Sequence, residues 1–405
     1  MESIRELYKI GRGPSSSHTM GPKRAAEQFA ERNPHAVAFR VTLYGSLAAT
    51  GKGHMTDVAI LDVLEPLAPT ELIWRADVVK KFHPNGMLFE ALDIQGTITD
   101  EWLVFSVGGG TIATSKSDIK KSSIYPLSTM HDIIEWCEHE GRTFWEYVEL
   151  YEGAEIWDFL RTIWETMKRS IDKGLEHEGV LPGGLGVRRK AVSYYIKAKS
   201  YTGSLKSRGN IYAYALAVSE ENAAGGEIVT APTCGSCGIL PSVLYHLYMG
   251  KEFREVRILQ ALATAALFGN IAKTNASISG AEVGCQGEVG VACAMAAAAS
   301  CQLFGGTLSQ IEYAAEMALE HHLGLTCDPV CGLVQVPCIE RNAIAAARAL
   351  DSNIYATYSD GKHMVSYDRV VEVMKVTGQD LPSLYRETSV GGLAKDGDIR
   401  KGVKS

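Results

Sequence analysis

Two patterns of apolar and polar positions divide the chain. Up to about residue 115, short runs rich in β-branched residues alternate with turn punctuation: Ala36 to Tyr44, Val58 to Val63, Leu72 to Val79, Met87 to Leu92 and Trp102 to Val107. Each run predicts a strand, because such residues bounded by Gly, Pro, Asn or Asp suit a half-buried pleated surface. A window from about Pro22 to Arg32 predicts one helix between a glycine-rich opening and the first strand. The pattern changes at Thr129, after which strand signals nearly vanish. From Met130 to Leu350 apolar residues recur at helical spacing, as in Ile133-Trp136-Cys137, Phe144-Val148-Tyr151 and Ile156-Phe159-Leu160-Ile163. Gly and Pro clusters such as Leu181-Pro182-Gly183-Gly184 cut these windows into separate helices, and the Ala-rich stretches Gln260 to Leu267 and Val291 to Ala299 let helices approach closely. The pattern predicts an α+β protein: a small N-terminal α/β-type domain over residues 1–120, a linker and connecting helix over 121–150, and a larger all-helical domain over 151–405. Ser115 to Ser128, rich in Ser and Lys, is the expected linker.

Composition narrows the function classes. At 405 residues and 46% hydrophobic, the chain can bury a large core without disulfide staples. A net charge of −7 and the lack of any long basic run argue against a nucleic-acid partner. The opening Met1 to Leu7 is charged and lacks the apolar centre of a secretory signal. Of the two long uncharged runs, Ile228 to Gly250 is broken by Pro232 and Pro241, and Val289 to Ile311 is mostly Ala, Gly and Ser. Both are expected to be buried in protein rather than in a membrane, and the chain is expected to be cytoplasmic. The nine cysteines then matter most. An odd number excludes a fully paired disulfide framework, and eight of the nine lie between Cys234 and Cys338, which suggests a metal or redox site.

Cys285, Cys327 and Cys338 stand in glycine- or proline-containing segments, where backbone N–H groups favour a thiolate and can hydrogen-bond its sulfur. Their spacing matches no common zinc pattern, and buried inert cysteine competes with ligation as an account of them. Cys234-Gly235-Ser236-Cys237 lacks the strand-then-helix context of a thioredoxin-type motif and reads as structural or substrate-lining; Cys293 and Cys301 read as packing residues. The N-terminal region carries a second focus in Gly13-Pro14-Ser15-Ser16-Ser17-His18-Thr19-Met20-Gly21-Pro22, a hydroxyl-rich loop running into a helix and suited to hold an anion. His54 and His83 also fall in predicted turns.

These segments together resemble the iron-sulfur L-serine dehydratases (L-serine ammonia-lyases), and the resemblance runs over nearly the whole chain. It is carried by the Gly13 to Thr19 loop, Tyr44-Gly45-Ser46-Leu47, Thr50-Gly51-Lys52-Gly53-His54 and His83-Pro84-Asn85-Gly86-Met87. In the second part it is carried by Pro182-Gly183-Gly184, Glu221 to Gly226, Val229 to Thr233, Asn275 to Gly290, Cys327-Asp328-Pro329-Val330 and Pro337 to Asn342. The family implies a β domain fused to an all-helical catalytic α domain, with the site between them. It implies a [4Fe-4S] cluster held by Cys285, Cys327 and Cys338, leaving one iron open as a Lewis acid for L-serine, and α,β-elimination to pyruvate and ammonia. His18, His54 and His83 resemble the family's site histidines, Ser15, Ser16, Ser17 and Asn85 its substrate-binding residues, and a homodimer is implied. Lys190 or Lys273 is a further candidate for added charge.

Two departures stand out. The chain ends Gly402-Val403-Lys404-Ser405, without the terminal cysteine of some single-chain relatives, which makes Ser405 a candidate occupant of the site. Cysteines also stand at Cys234, Cys237 and Cys331, where small or polar residues are expected. The competing functions are a cysteine desulfidase using the same cluster chemistry and a non-catalytic serine-sensing protein.

Overall fold

The structure is a computed structural model describing residues 1–114, 123–387, 389 and 391–395. Residues 115–122 of the expected linker and the tail containing Ser405 lie outside the described residues.

The N-terminal part is a five-stranded sheet covered by helices. Its elements follow a short strand β1 (Ile10–Arg12): helix α1 (Gly21–Arg32), β2 (Ala38–Tyr44), α2 (Gly45–Thr50), α3 (Thr56–Leu64), β3 (Thr70–Arg75), β4 (Gly86–Leu92), β5 (Ile98–Ser106) and β6 (Ile112–Ala113). Strand order is β3-β2-β4-β5-β6, with β2 and β3 parallel and the other neighbours antiparallel. Phe39, Val41, Leu43, Met87, Phe89 and Val104 form one apolar core with Ala25 and Phe29 of α1 and Ile60 and Leu64 of α3.

The expected strand Val58 to Val63 is instead the centre of α3. Its β-branched content suggests a strand, but Thr56, Ala59, Ile60 and Leu64 are the buried positions, a helical spacing. The parallel pairing of β2 with β3 also demands a crossover, which this helix supplies. The other four predicted strands and the predicted first helix are present, although the strand expected over Leu72 to Val79 ends at Arg75.

The second part is helical: α4 (Met130–Glu140), α5 (Phe144–Glu152), α6 (Ile156–Glu176), α7 (Ala191–Lys199), α8 (Gly203–Ala223), the short strand β7 (Glu227–Val229), α9 (Ile239–Lys251), α10 (Glu255–Asn275), α11 (Gly280–Val283), α12 (Val291–Leu303), α13 (Leu308–Glu320), α14 (Cys338–Tyr358) and α15 (Tyr367–Asp380). Helix α12 is buried on every side from Val291 to Cys301, surrounded by α9, α10, α13 and α14. Its run of alanines explains why: small side chains let four helices close around one. Among the described residues no helix is long and apolar enough to cross a membrane.

Three features bind the parts together at one place. Met1, Ile4, Leu7 and Tyr8 belong to the helical core. From there β1 pairs antiparallel with β7, setting Ile10 opposite Val229 and Arg12 opposite Glu227. The Asn222 amide then donates to the Pro14 carbonyl at 2.9 Å, so the serine loop starts from the end of α8. The same loop ends on the sheet, where α1 begins against Ser106 at the end of β5.

Candidate functional site

The site is built where the C-terminal ends of β2 and β5 meet the start of β4. Leu43 of β2 pairs with Met87 of β4, and Gly86 pairs with Phe105 of β5. Ser46 just after β2 and His83 and Asn85 just before β4 therefore share one end of the sheet. Gly45 makes this possible: it adopts φ +52°, and a Cβ there would come within 2.5 Å of the Pro84 carbonyl oxygen. An L side chain would be strained and would collide with the neighbouring segment.

On that end sits a single π-helical turn, Ser16–Met20, running into α1. Ser15 caps it by accepting the His18 backbone N–H at 3.1 Å. Ser15, Ser16, Ser17 and His18 are all buried. The hydroxyl protons fix the histidine tautomers. Ser46 gives its one proton to the Glu387 carbonyl at 3.2 Å, so His18 Nε2, 3.1 Å away, donates to Ser46 and its Nδ1 accepts from Ser17 Oγ at 2.9 Å. Thr50 likewise donates to the Ser46 carbonyl at 2.9 Å, so His54 Nδ1 donates to Thr50 Oγ1 at 3.2 Å. That leaves His54 Nε2 with a free lone pair. His83 is the reverse case: Nδ1 accepts the Asn85 backbone N–H at 3.1 Å, and the protonated Nε2 is buried with no hydrogen-bond partner, 3.8 Å from Glu282. Asn85 donates to the Ser106 carbonyl at 3.3 Å, and its own Oδ1 is buried and unpartnered.

The imidazoles are held neutral. Burial, with the neighbouring His54 ring 4.5 Å away, pushes His18 well below the usual histidine range. Burial alone brings His54 down to about 4, and His83 is lowered by burial against the opposing pull of Glu282.

The helical part supplies the opposite wall. Cys285 precedes a second π-helical turn, Gln286–Gly290, which carries Glu288; Cys338 is the first residue of α14, behind Pro337. Cys327 lies in the loop between α13 and α14. One Sγ each from Cys285 and Cys327 and a Glu288 carboxylate oxygen lie within 4.8 Å of one another. Cys338 lines the same cavity, together with Ser15, His54 and Glu387. The predicted thiol triplet therefore faces the serine loop and one of the three histidines across one buried cavity. His18 stands directly behind His54, and His83 opens onto an adjoining cleft that it shares with Ser46.

This donor set suits a soft metal group. All nine cysteines are free, so no disulfide competes for the three thiols. Contact with Cys285 and burial raise the Cys327 thiol well above its ordinary range, and burial does the same to Cys338. Such thiols need a cationic partner to ionise, which a metal cluster provides. Space is reserved around them: a Cβ at Gly280 would come within 2.8 Å of Glu288 Oε2 and 3.1 Å of Cys327 Sγ.

Some predicted residues lie elsewhere. Lys273 is tied to Glu2 at 3.0 Å and Lys190 to Glu340 at 3.3 Å, and neither lines the cavity. Cys234 and Cys237 pack with Ile171, Tyr214, Val218 and Ile228, and Cys331 is exposed. Sequence reasoning missed Glu387. It arrives through a bridge that aligns Arg386 with Cys327, its N–H donating to the Cys327 carbonyl at 2.8 Å, and its carboxyl lies 3.4 Å from His18 Nδ1. Burial and the charges of Glu288 and Cys285 raise its pKa well above the carboxylate range, which favours the protonated carboxyl. Glu288, which accepts from Thr233 Oγ1 at 2.7 Å, lies in the Asn275 to Gly290 segment, whose sequence alone gives it no role.

Comparison with known sequences bears on the same residues. Residues 3–72 match the family described as "Serine dehydratase beta chain" and residues 70–394 the one described as "Serine dehydratase alpha chain". The junction falls in β3, so the two matches share the sheet. The L-serine dehydratase of Streptomyces coelicolor is 41% identical, over 97% of this chain and 98% of its own. That of Haemophilus influenzae is 40% identical over 97% and 99%, and L-serine dehydratase 2 of Escherichia coli 41% identical over 97% and 98%. With both matches carried in order by a single polypeptide, the chain belongs to the serine dehydratase family.

Proposed function

We propose that the protein is an L-serine dehydratase that converts L-serine to pyruvate and ammonia with a [4Fe-4S] cluster held by Cys285, Cys327 and Cys338, acting in the cytoplasm as a homodimer. The observation that carries this reading is the one buried cavity shared by those three thiols with Ser15 and His54. The near full-length similarity to L-serine dehydratases supports the substrate.

A cluster with three thiolate ligands supplies, when bound, one iron that is Lewis-acidic toward a hydroxyl or carboxylate oxygen. The chain's own residues do the rest. The serine loop offers the Ser15 hydroxyl, which lines the cavity, to the substrate carboxylate in place of water. His54, neutral and with Nε2 free, takes the Cα proton. Glu387 carries the proton that the departing hydroxide needs, so elimination releases water and leaves 2-aminoacrylate. Tautomerisation to the imine and hydrolysis then give pyruvate and ammonium. His18 spends both ring nitrogens on Ser17 and Ser46 and so positions the serine loop. Burial of all these groups excludes bulk water from the elimination step.

Anaerobic purification followed by a pyruvate assay before and after reconstitution with iron and sulfide tests the reading. Pyruvate from L-serine should track the cluster's absorbance. A colourless protein active only with pyridoxal phosphate would overturn it, as would pyruvate formed from L-cysteine but not from L-serine.

A further inference from the structure

A second cleft adjoins the cysteine cavity on the sheet side. It holds about 750 Å3 and opens between α2, the segment preceding β4, and helices α11 and α15. Ser46 and His83 form its inner wall. Ser46 also bonds His18 and the Glu387 carbonyl, so one layer of side chains separates this cleft from the cavity where elimination is proposed to occur.

The cleft carries a net positive charge. Lys80, Lys81, Lys375 and Arg386 line it against a single carboxylate, Glu282. Glu282 is already engaged by the Ser277 hydroxyl and faces His83. Among the described residues none of the four cations forms an ion pair. Lys80 lies 4.1 Å over the Tyr44 ring, and Arg386 Nε is buried with no hydrogen-bond partner. A chain of net charge −7 thus gathers four unpaired cations beside its site. Ala49, Val79 and Phe82 give the same cleft an apolar side.

Charge decides what such a cleft selects. L-serine is a zwitterion, so cations that attract its carboxylate repel its ammonium. The reaction separates those charges into a monoanionic 2-oxo acid and a free ammonium ion. The 2-oxo acid is the species with net negative charge, and it carries a methyl group where serine has a hydroxymethyl.

We propose that the cleft is a binding site for a small 2-oxo monocarboxylate, the organic product of the adjoining site. Arg386 grips its carboxylate, the three lysines supply the surrounding field, and the apolar side receives the methyl group. A planar guanidinium with an unspent donor suits bidentate carboxylate binding better than a lysine does. Product held there bears on the Ser46–His83 wall, whose Ser46 holds His18, and slows the next turnover. The identity of the anion rests on the L-serine dehydratase reading; the geometry and charge of the cleft do not.

The test uses the reconstituted holoenzyme and sodium pyruvate, with sodium chloride as the ionic-strength control. Pyruvate should inhibit turnover of L-serine beyond the effect of equal sodium chloride. Arg386→Gln should weaken that inhibition about tenfold, as expected for loss of a charged bidentate contact. Lys375→Gln should weaken it about twofold, as expected for one exposed cation. The KM for L-serine should change by less than about twofold in both variants, the zwitterion feeling little of the field. Unchanged pyruvate inhibition in Arg386→Gln, or an equal loss of affinity for serine and pyruvate, would overturn the assignment. Saturation-transfer NMR with pyruvate needs no turnover and keeps the two readings apart. Binding lost in Arg386→Gln, in a protein that makes no pyruvate from L-serine, would uphold the cleft and sink the function. Turnover without any such binding would do the reverse.

Discussion

The two walls of the cavity are built on opposite principles. On the sheet side Ser15, Ser17, His18, Ser46, Thr50 and His54 form one hydrogen-bonded chain in which the Ser17, Ser46 and Thr50 protons each have an assigned acceptor, while His83 Nε2 and Asn85 Oδ1 beside it are unpartnered. On the helical side the reactive groups are buried and poorly partnered, with the Cys285 and Cys327 sulfurs each 3.9 Å from the same Glu288 oxygen. A wired wall holds protons in fixed places, which suits acid-base work. A wall of unsatisfied donors waits for something to bind, which suits a metal group. The contrast predicts that the two sides fail differently when altered.

The largest effect belongs to the helical wall. Cys285→Ala, Cys327→Ala or Cys338→Ala should each abolish cluster absorbance and lower pyruvate formation by about three orders of magnitude or more, since the Lewis acid goes with the ligand. Retained absorbance in any one of them removes that residue from the ligand set. His54→Ala on the sheet wall should behave otherwise, keeping absorbance and iron content while kcat falls about 10²- to 10⁴-fold, the usual range for a general base. Loss of iron in that variant would erase the distinction between the walls. Glu387→Gln sits between them and should lower kcat about 10²-fold with the cluster intact, as for other proton donors; a rate equal to wild type would rule Glu387 out as the acid.

Stability against pH gives a smaller reading of the wired wall. The folded protein holds His54 at about 4 against 6.5 for a free imidazole, so the unfolded chain binds the extra proton first. Stability from keeping it neutral is therefore fully present above pH 6.5 and is lost as pH falls from there toward 4, by on the order of 3 kcal/mol for a buried group shifted this far. His54→Gln should flatten that part of a melting-temperature profile, and an unchanged slope would contradict the assigned burial. The smallest effect is expected at Cys331→Ser and Cys137→Ala, which lie outside the cavity and should keep full absorbance. Bleaching in either would reopen the choice of ligands.

Legibility followed the range of the interactions. The serine loop, the turn histidines and the thiol segments each sit in a contiguous motif, and the structure brings all three kinds together. The run Val58 to Val63 misled because β-branched content outweighed a helical spacing that only the neighbouring sheet makes decisive. Glu387 was not legible at all. Its neighbours Arg386 and Ser389 belong to no periodic element, and its carboxyl gains meaning only from a backbone bridge to Cys327 and contact with His18. The pairing of β1 with β7, which fastens the serine loop to the helical part, was hidden for the same reason: three-residue strands carry no pattern of their own.

The central claim is that three thiols on one wall hold a cluster on which the proton chemistry of the other wall depends. Iron content, absorbance and pyruvate formation from L-serine, measured on one anaerobically reconstituted sample before and after exposure to air, test it most directly. The account predicts about four irons per chain, activity proportional to iron, and loss of both in air. Full activity in iron-free, colourless protein, or activity indifferent to air, would contradict it.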